Sequence, residues 1–63
     1  MNNIKVRTKL FETNMPRWKC AELLGVSEMT LYRMLRNELP EDEQDRICRL
    51  IDEYAAERMN ADG

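Results

Sequence analysis

Residues 17–36, RWKCAELLGVSEMTLYRMLR, are spaced as two short helices that cross through a tight turn. Helices that cross steeply approach each other closely, so the first helix needs a small side chain at the crossing, and Ala21 supplies it. Four residues later, Gly25 tolerates the positive φ that ends a helix abruptly. Val26 then fills the corner, and Ser27 can cap the next helix by accepting a hydrogen bond from a backbone N–H. The other apolar positions of this stretch that are expected in the core are Cys20, Leu24, Leu31 and Met34.

This spacing is typical of a DNA-binding helix-turn-helix. The run AELLGVSE at 21–28, followed by TLYRMLR at 30–36, resembles the phage repressor and Cro-type (Xre-like) helix-turn-helix proteins, in particular their short members from phages and mobile elements. The resemblance covers about twenty residues closely, which is the length of two short helices and a turn. It implies a lambda-repressor-like, all-α domain over residues 1–63 that binds double-stranded DNA. The alternative is an ordinary helical hairpin in which Ala21 and Gly25 serve packing alone.

Length and composition argue against an enzyme. A domain of 63 residues buries only about 60% of the surface that its unfolded chain exposes, so its core is marginal and no large catalytic cleft is expected. The chain has no histidine and no glycine-rich phosphate loop. The acidic cluster at 41–45 is typical of a solvated helix start rather than of a catalytic pair. We therefore predict a protein without catalytic activity.

The two cysteines, Cys20 and Cys48, both fall on apolar helix faces. The chain has neither a Cys-x-x-Cys pair nor a Cys/His set, so we expect no metal site and no cofactor. We expect both thiols to be small hydrophobic side chains in a reducing compartment, with a disulfide as the alternative. The N-terminus lacks the apolar segment of a signal peptide, and no apolar run approaches the roughly 20 residues that span a membrane. A cytoplasmic location is therefore expected.

Charge is distributed unevenly along the chain. The net charge is −2, but residues 1–37 carry seven basic and three acidic side chains, whereas residues 38–63 carry three basic and nine acidic ones. Nucleic-acid affinity depends on the local field of the contacting face rather than on the net charge. The basic half of the chain also contains the motif at 17–36, which favours a nucleic-acid partner for that half.

Hydrophobic periodicity and capping signals predict four helices and no strands, at about 3–13, 16–25, 27–36 and 40–59. Asn2 or Asn3 is expected to cap the first helix. Pro16 opens the second helix, where a missing N–H and a preset φ cost nothing. Acidic residues at 41–43 suit the positive end of the fourth helix dipole. The polar residues 60–63 are expected to fray.

The third helix has two faces when residues are placed about 100° apart. Leu31, Met34 and Leu35 cluster on the side that we expect to face the core. The opposite side carries Met29, Tyr32, Arg33 and Arg36, with Glu28 on its flank. A ten-residue helix is about 15 Å long, which suits a major groove about 12 Å wide. The second set is therefore the face that we expect to meet DNA.

Three residues of the third helix are predicted to contact bases. Arg33 can donate two hydrogen bonds to guanine O6 and N7, and Met29 can pack on a thymine methyl group. Glu28 can accept a hydrogen bond from a cytosine amino group, or its charge can simply interact with the helix dipole. The resemblance points to the same three positions.

Contacts to the DNA backbone are predicted from four other residues. Arg17 lies at the start of the second helix, where the positive charge and free N–H groups favour an anion. Thr30, Tyr32 and Arg36 are expected to reach the opposite wall of the groove. Diffuse attraction is expected from the remaining cations of this half, which are Lys5, Arg7, Lys9 and Lys19.

Several apolar residues outside the motif are assigned to the core. In the first helix Val6, Leu10 and Phe11 are expected to face inward. In the second helix we expect Trp18 to pack at the edge of the core against the fourth helix, with exposure at a partner surface as the alternative. The apolar residues of the fourth helix that are expected to close the core are Ile47, Leu50, Ile51 and Tyr54.

The solvent side of the fourth helix is expected to hold the i,i+4 ion pairs Asp42/Arg46 and Asp45/Arg49. Part of its apolar side, with Cys48, Ala55 or Met59, could instead form the two-fold interface of a homodimer, because short proteins of the resembling class often bind two half-sites as dimers.

Together these features predict sequence-specific binding of double-stranded DNA by a transcriptional regulator of phage or mobile-element type. Two alternatives remain. One is an excisionase-like recombination factor that bends or organises DNA. The other is a protein-interaction module whose acidic fourth helix binds a basic partner. No membrane and no small-molecule substrate is expected as a partner.

Overall fold

The computed structural model describes residues 2–62, with side chains described for residues 2–58, and these residues form four α-helices and no strand. The helices are α1 (Ile4–Thr13), α2 (Arg17–Leu24), α3 (Glu28–Arg36) and α4 (Glu41–Asp62). The predicted all-α class and helix order are confirmed. The main difference is at the end of α4, which continues through residues 60–62 that were expected to fray. Alanine, glutamate and arginine are good helix formers, and neither glycine nor proline interrupts the chain between 41 and 62.

Two turns of the chain are built in the same way. Asn14 after α1 and Gly25 after α2 both have positive φ, 55° and 74°. In each turn the N–H of the following residue bonds back to the fifth residue before it, from Met15 to the Leu10 carbonyl and from Val26 to the Ala21 carbonyl, both at 3.0 Å. This is the Schellman arrangement, which satisfies carbonyls at a helix end. It brings Met15 into the core and Val26 against its edge.

Ser27 begins α3 as predicted. Its side chain accepts a hydrogen bond of 3.1 Å from the backbone N–H of Thr30. Pro16 stands at the N-cap of α2, one residue before the first helical position, and contributes no side-chain cap.

The start of α1 differs from the expectation. Asn3 occupies the N-cap position with φ at 58°, yet its side chain makes no cap hydrogen bond. Its amide nitrogen instead donates to the carbonyls of Leu35 (3.0 Å) and Asn37 (2.9 Å), and its oxygen accepts from the Leu39 N–H (2.7 Å). Asn3 is fully buried and fastens the start of α1 to the connection between α3 and α4.

The core lies where α4 crosses α1 and α2 and where α2 meets α3. Of the residues predicted to be inside α3, Leu31 and Leu35 are buried and Met34 is half-buried. In α4, Ile47 and Ile51 are fully buried, whereas Leu50 and Tyr54 are half-buried. The remaining buried apolar residues are Val6, Leu10, Met15, Cys20 and Ala21. Both cysteines are free thiols, and burial raises the pKa of each.

Two aromatic predictions are wrong. Phe11 is 86% exposed. It lies about 100° around α1 from Leu10, and therefore outside the side of α1 that Val6 and Leu10 bury. Trp18 is 54% exposed and lies outside the buried core. The buried residues of α2 are Cys20 and Ala21, with Leu23 and Leu24 half-buried against the same core, and Trp18 is not part of this set.

The predicted ion pairs on α4 are also wrong. Arg46 pairs with Glu43, one turn away at i,i+3, rather than with Asp42. Asp45 pairs with Lys5 of α1 at 3.1 Å rather than with Arg49. Asp45 can reach a lysine of the neighbouring helix α1, and the i,i+4 spacing within α4 does not show that this partner is available. The Met59 side chain, named for a two-fold interface, lies outside the described residues.

Candidate nucleic-acid interface

α3 is fixed in the fold by contacts at its two ends and on the side opposite its exposed face. Ser27 caps its start, Leu31 and Leu35 bury its inner side, and the side chains of Asn2 and Asn3 bind its last carbonyls. Asn2 donates to the Arg36 carbonyl at 2.9 Å. These contacts satisfy groups that a helix leaves unpaired at its ends. The outer side chains therefore project from a firmly fixed helix.

The three residues predicted to contact bases are all on the solvent side of α3. Met29 is 67% exposed, and a guanidinium nitrogen of Arg33 lies 3.9 Å from its sulfur atom, one helical turn away. Glu28 lies in the first turn. Among the described residues it forms no ion pair, so its charge can interact with the helix dipole or with a partner.

The residues predicted to contact the backbone do not all lie together. Arg17, Tyr32 and Arg36 line one cleft of about 180 Å³, although the sequence assigned Arg17 to a different groove wall from the other two. Thr30 does not line this cleft, because it lies on the opposite flank of α3 from Tyr32, about 160° around the helix. The Thr30 hydroxyl accepts a hydrogen bond of 2.9 Å from the Ser27 hydroxyl.

Arg7 completes this arginine cleft, which we define by Arg7, Arg17, Tyr32, Leu35 and Arg36. Its guanidinium donates from Nε to the Asn2 carbonyl (2.7 Å) and from Nη2 to the Leu35 carbonyl (3.2 Å). A guanidinium has five N–H groups, so three remain free for another acceptor. The sequence had assigned Arg7 only to diffuse attraction. Local patterns could not predict this placement, because one of the two carbonyls that orient Arg7, that of Leu35, lies 28 residues away.

The three lysines of the basic half form ion pairs with carboxylates of the same chain. Lys5 pairs with Glu41 and Asp45 of α4, at 3.3 and 3.1 Å. Lys9 pairs with Asp52 at 3.1 Å, and Lys19 with Glu22 at 3.0 Å. Hydrogen bonds to these carboxylates raise the pKa of all three lysines. Their charge is therefore largely balanced within the fold and adds little to an external field.

The arginines of the basic half are not balanced in this way. Within the described part of the chain, no carboxylate forms an ion pair with Arg7, Arg17, Arg33 or Arg36. All four lie on the α3 face or in the arginine cleft, which share Arg36. The unbalanced positive charge of this half is thus concentrated on one surface.

A second groove, of about 500 Å³, lies between the turn after α1 and the later part of α4. Trp18 and Tyr54 line it, and the Lys19 ammonium lies 5.9 and 4.8 Å from their ring centres. It contains no residue of α3. Over the described residues, no group of three or more cysteine and acidic side chains could hold a metal ion.

In residues 2–62, no helix combines the length and the apolar character required to cross a bilayer. The comparisons with family models, with curated proteins and with solved structures found no match to this chain.

Proposed function

We propose that this protein binds double-stranded DNA in a sequence-specific way, as a small transcriptional regulator of phage or mobile-element type. In this proposal α2, the turn at Gly25 and α3 act as a helix-turn-helix, and α3 enters the major groove. The observation that carries the proposal is a set of four arginines on one surface that form no ion pair with a carboxylate of the described residues.

The dimensions and chemistry of α3 support this role. Its nine residues extend about 14 Å, close to the major-groove width of about 12 Å. Arg33 and Met29 lie side by side on the outer face, where one can contact guanine and the other a thymine methyl group. Glu28 would lie beside them at the start of the helix. Arg17, Tyr32, Arg36 and Thr30 would contact the sugar-phosphate backbone.

The alternative of a protein-interaction module is less well supported. It requires the acidic α4 to be free for a basic partner. However, Glu41, Asp45 and Asp52 already pair with lysines of α1. A bend-inducing recombination factor would use the same α3 surface, and phased bending of the bound duplex would distinguish it from a simple regulator.

Selection of bound sequences from a random duplex library tests the proposal directly. We expect one conserved half-site of a few base pairs, or two half-sites at helical spacing if the protein binds as a dimer. Arg33→Ala should weaken binding to the selected site by about 1 to 3 kcal/mol and relax the preference at one base pair. Arg49→Ala is the matched control, because Arg49 is an exposed arginine of α4 that does not line the arginine cleft. Absence of binding to any duplex at low salt would refute the proposal.

A further inference from the structure

The arginine cleft brings together side chains from three helices. Arg7 comes from α1, Arg17 from the first turn of α2, and Tyr32 and Arg36 from α3. Among the residues with described side chains, no acidic residue lines the cleft. Three arginines therefore line a space of about 180 Å³ without a counter-charge from the described residues. Like charges held close together repel each other, so this arrangement favours binding of an anion.

The chemistry of the lining selects the kind of anion. A guanidinium presents a planar fork of donors that matches the oxygen atoms of a phosphate group. Arg7 is held by the carbonyls of Asn2 and Leu35, so little side-chain entropy is lost when its free N–H groups bind. The Tyr32 hydroxyl adds a neutral donor that can approach a phosphate oxygen.

We propose that Arg7, Arg17, Tyr32 and Arg36 bind one phosphate group together, and that Arg7 is a binding residue. The source of this phosphate rests on the proposed function, which identifies it as a phosphodiester of the DNA backbone. α1 thereby supplies a specific contact, although the sequence predicted only diffuse attraction from α1 and specific contacts from α2 and α3. The three arginines act on a single phosphate rather than on separate walls of the groove.

The first experiment uses inorganic phosphate alone. Phosphate is titrated at constant ionic strength, with chloride as the balancing anion, into the full chain labelled with ¹⁵N. The guanidinium N–H signals of Arg7, Arg17 and Arg36 should move together and saturate with one apparent Kd, while those of Arg49 stay unchanged. Arg17→Gln should raise this Kd about threefold, as expected for one exposed ion pair. Shifts that are equal for all exposed arginines and do not saturate would overturn the shared site.

The second experiment uses the selected duplex, with single phosphates replaced by uncharged methylphosphonates. Replacement of the phosphate at one position should weaken binding by a factor similar to that caused by Arg7→Gln, Arg17→Gln or Arg36→Gln. On the duplex altered at that position, each of these three substitutions should lose most of its effect, whereas Arg33→Gln should keep its effect. If the effect of each arginine substitution were lost on a duplex with a different phosphate replaced, the shared site would be wrong.

Arg7 also supports the end of α3, so its folding role must be separated from binding. Arg7→Lys keeps the charge but loses the fork, and it should retain the wild-type circular dichroism spectrum while weakening phosphate binding. Loss of binding only in unfolded variants would overturn the role of Arg7. The DNA-binding function and the shared phosphate site can be refuted independently of each other. Saturating phosphate binding without duplex binding would refute the DNA function, whereas duplex binding without a shared phosphate would refute the cleft.

Discussion

Asn3 is a fully buried polar residue whose side chain joins the start of α1 to the connection between α3 and α4. It bonds to Leu35, Asn37 and Leu39 while its own φ is 58°. Asn3→Gly tolerates this φ, so it isolates the loss of the side-chain bonds from backbone strain. We expect it to destabilise the fold by about 1 to 3 kcal/mol, because buried donors and acceptors lose their partners. Urea unfolding measures this loss. A change as small as that of the exposed Thr8→Gly would show that these bonds contribute little.

A substitution at Glu28 shows whether its carboxylate contacts a base or is only tolerated near the DNA phosphates. Glu28→Gln keeps the shape of the side chain, removes its charge and adds a donor that suits adenine N6 and N7. If the carboxylate contacts cytosine, library selection should show a shift toward adenine at one position. Identical selected motifs for both proteins, with a uniform gain in affinity, would show that Glu28 does not contact a base.

Glu38 introduces a pH dependence of stability. Its carboxylate accepts hydrogen bonds from the Asn3 N–H (2.8 Å) and the Gln44 amide (2.7 Å), and these bonds lower its pKa. A folded-state pKa below the unfolded value of about 4.3 contributes stability above that pH. This contribution is lost as the pH falls through the folded-state pKa.

We therefore expect Glu38→Gln to have a lower urea midpoint than the wild type at pH 7, and the difference to shrink as the pH falls below about 4. Glu57→Gln, on the exposed side of α4, is the control. A constant difference at all pH values would show that these two hydrogen bonds do not act through the charge of Glu38.

At the scale of helices and turns, the α2–α3 turn depends on backbone conformation rather than on space. A Cβ added at Gly25 would meet no atom within 4 Å, so only the positive φ of 74° penalises other residues. We expect Gly25→Ala to cost about 1 to 2 kcal/mol in unfolding free energy. Gly25→Asn should cost less, since Asn14 already occupies the matching position after α1. Thermal unfolding compares the two, and equal losses would argue against this explanation.

At the scale of the whole molecule, we expect the salt dependence of DNA binding to come from the cationic side chains that form no ion pair within the described residues. Arg17→Ala should reduce the slope of log affinity against log salt, but by less than the roughly one unit of a lost phosphate contact, because Arg7 and Arg36 still face the shared phosphate. Lys5→Ala should leave the slope nearly unchanged, because Lys5 already pairs with Glu41 and Asp45. Affinities measured across a salt series test this contrast. An equal reduction by both substitutions would mean that α1 lysines also face the DNA.

Local signals in the sequence were sufficient for the helices and for the two faces of α3. The turn at Gly25, the cap at Ser27 and the burial of Leu31 and Leu35 were predicted and are confirmed. Each depends on residues within one or two helical turns of one another, where periodicity and capping chemistry operate. The exposure of Arg33 and Met29 follows from the same periodicity.

Interactions between helices were beyond such signals. The exposure of Phe11 and Trp18 depends on where α4 crosses α1 and α2. The pairing of α1 lysines with α4 carboxylates, and the convergence of Arg7 with Arg17 and Arg36, join residues that are distant along the chain. Periodicity identifies the side of a helix that is buried, but not the side chains that a neighbouring helix brings to its edges. The helices and the outer face of α3 therefore follow from the sequence, whereas the balance of charge and the arginine cleft arise only when the helices pack.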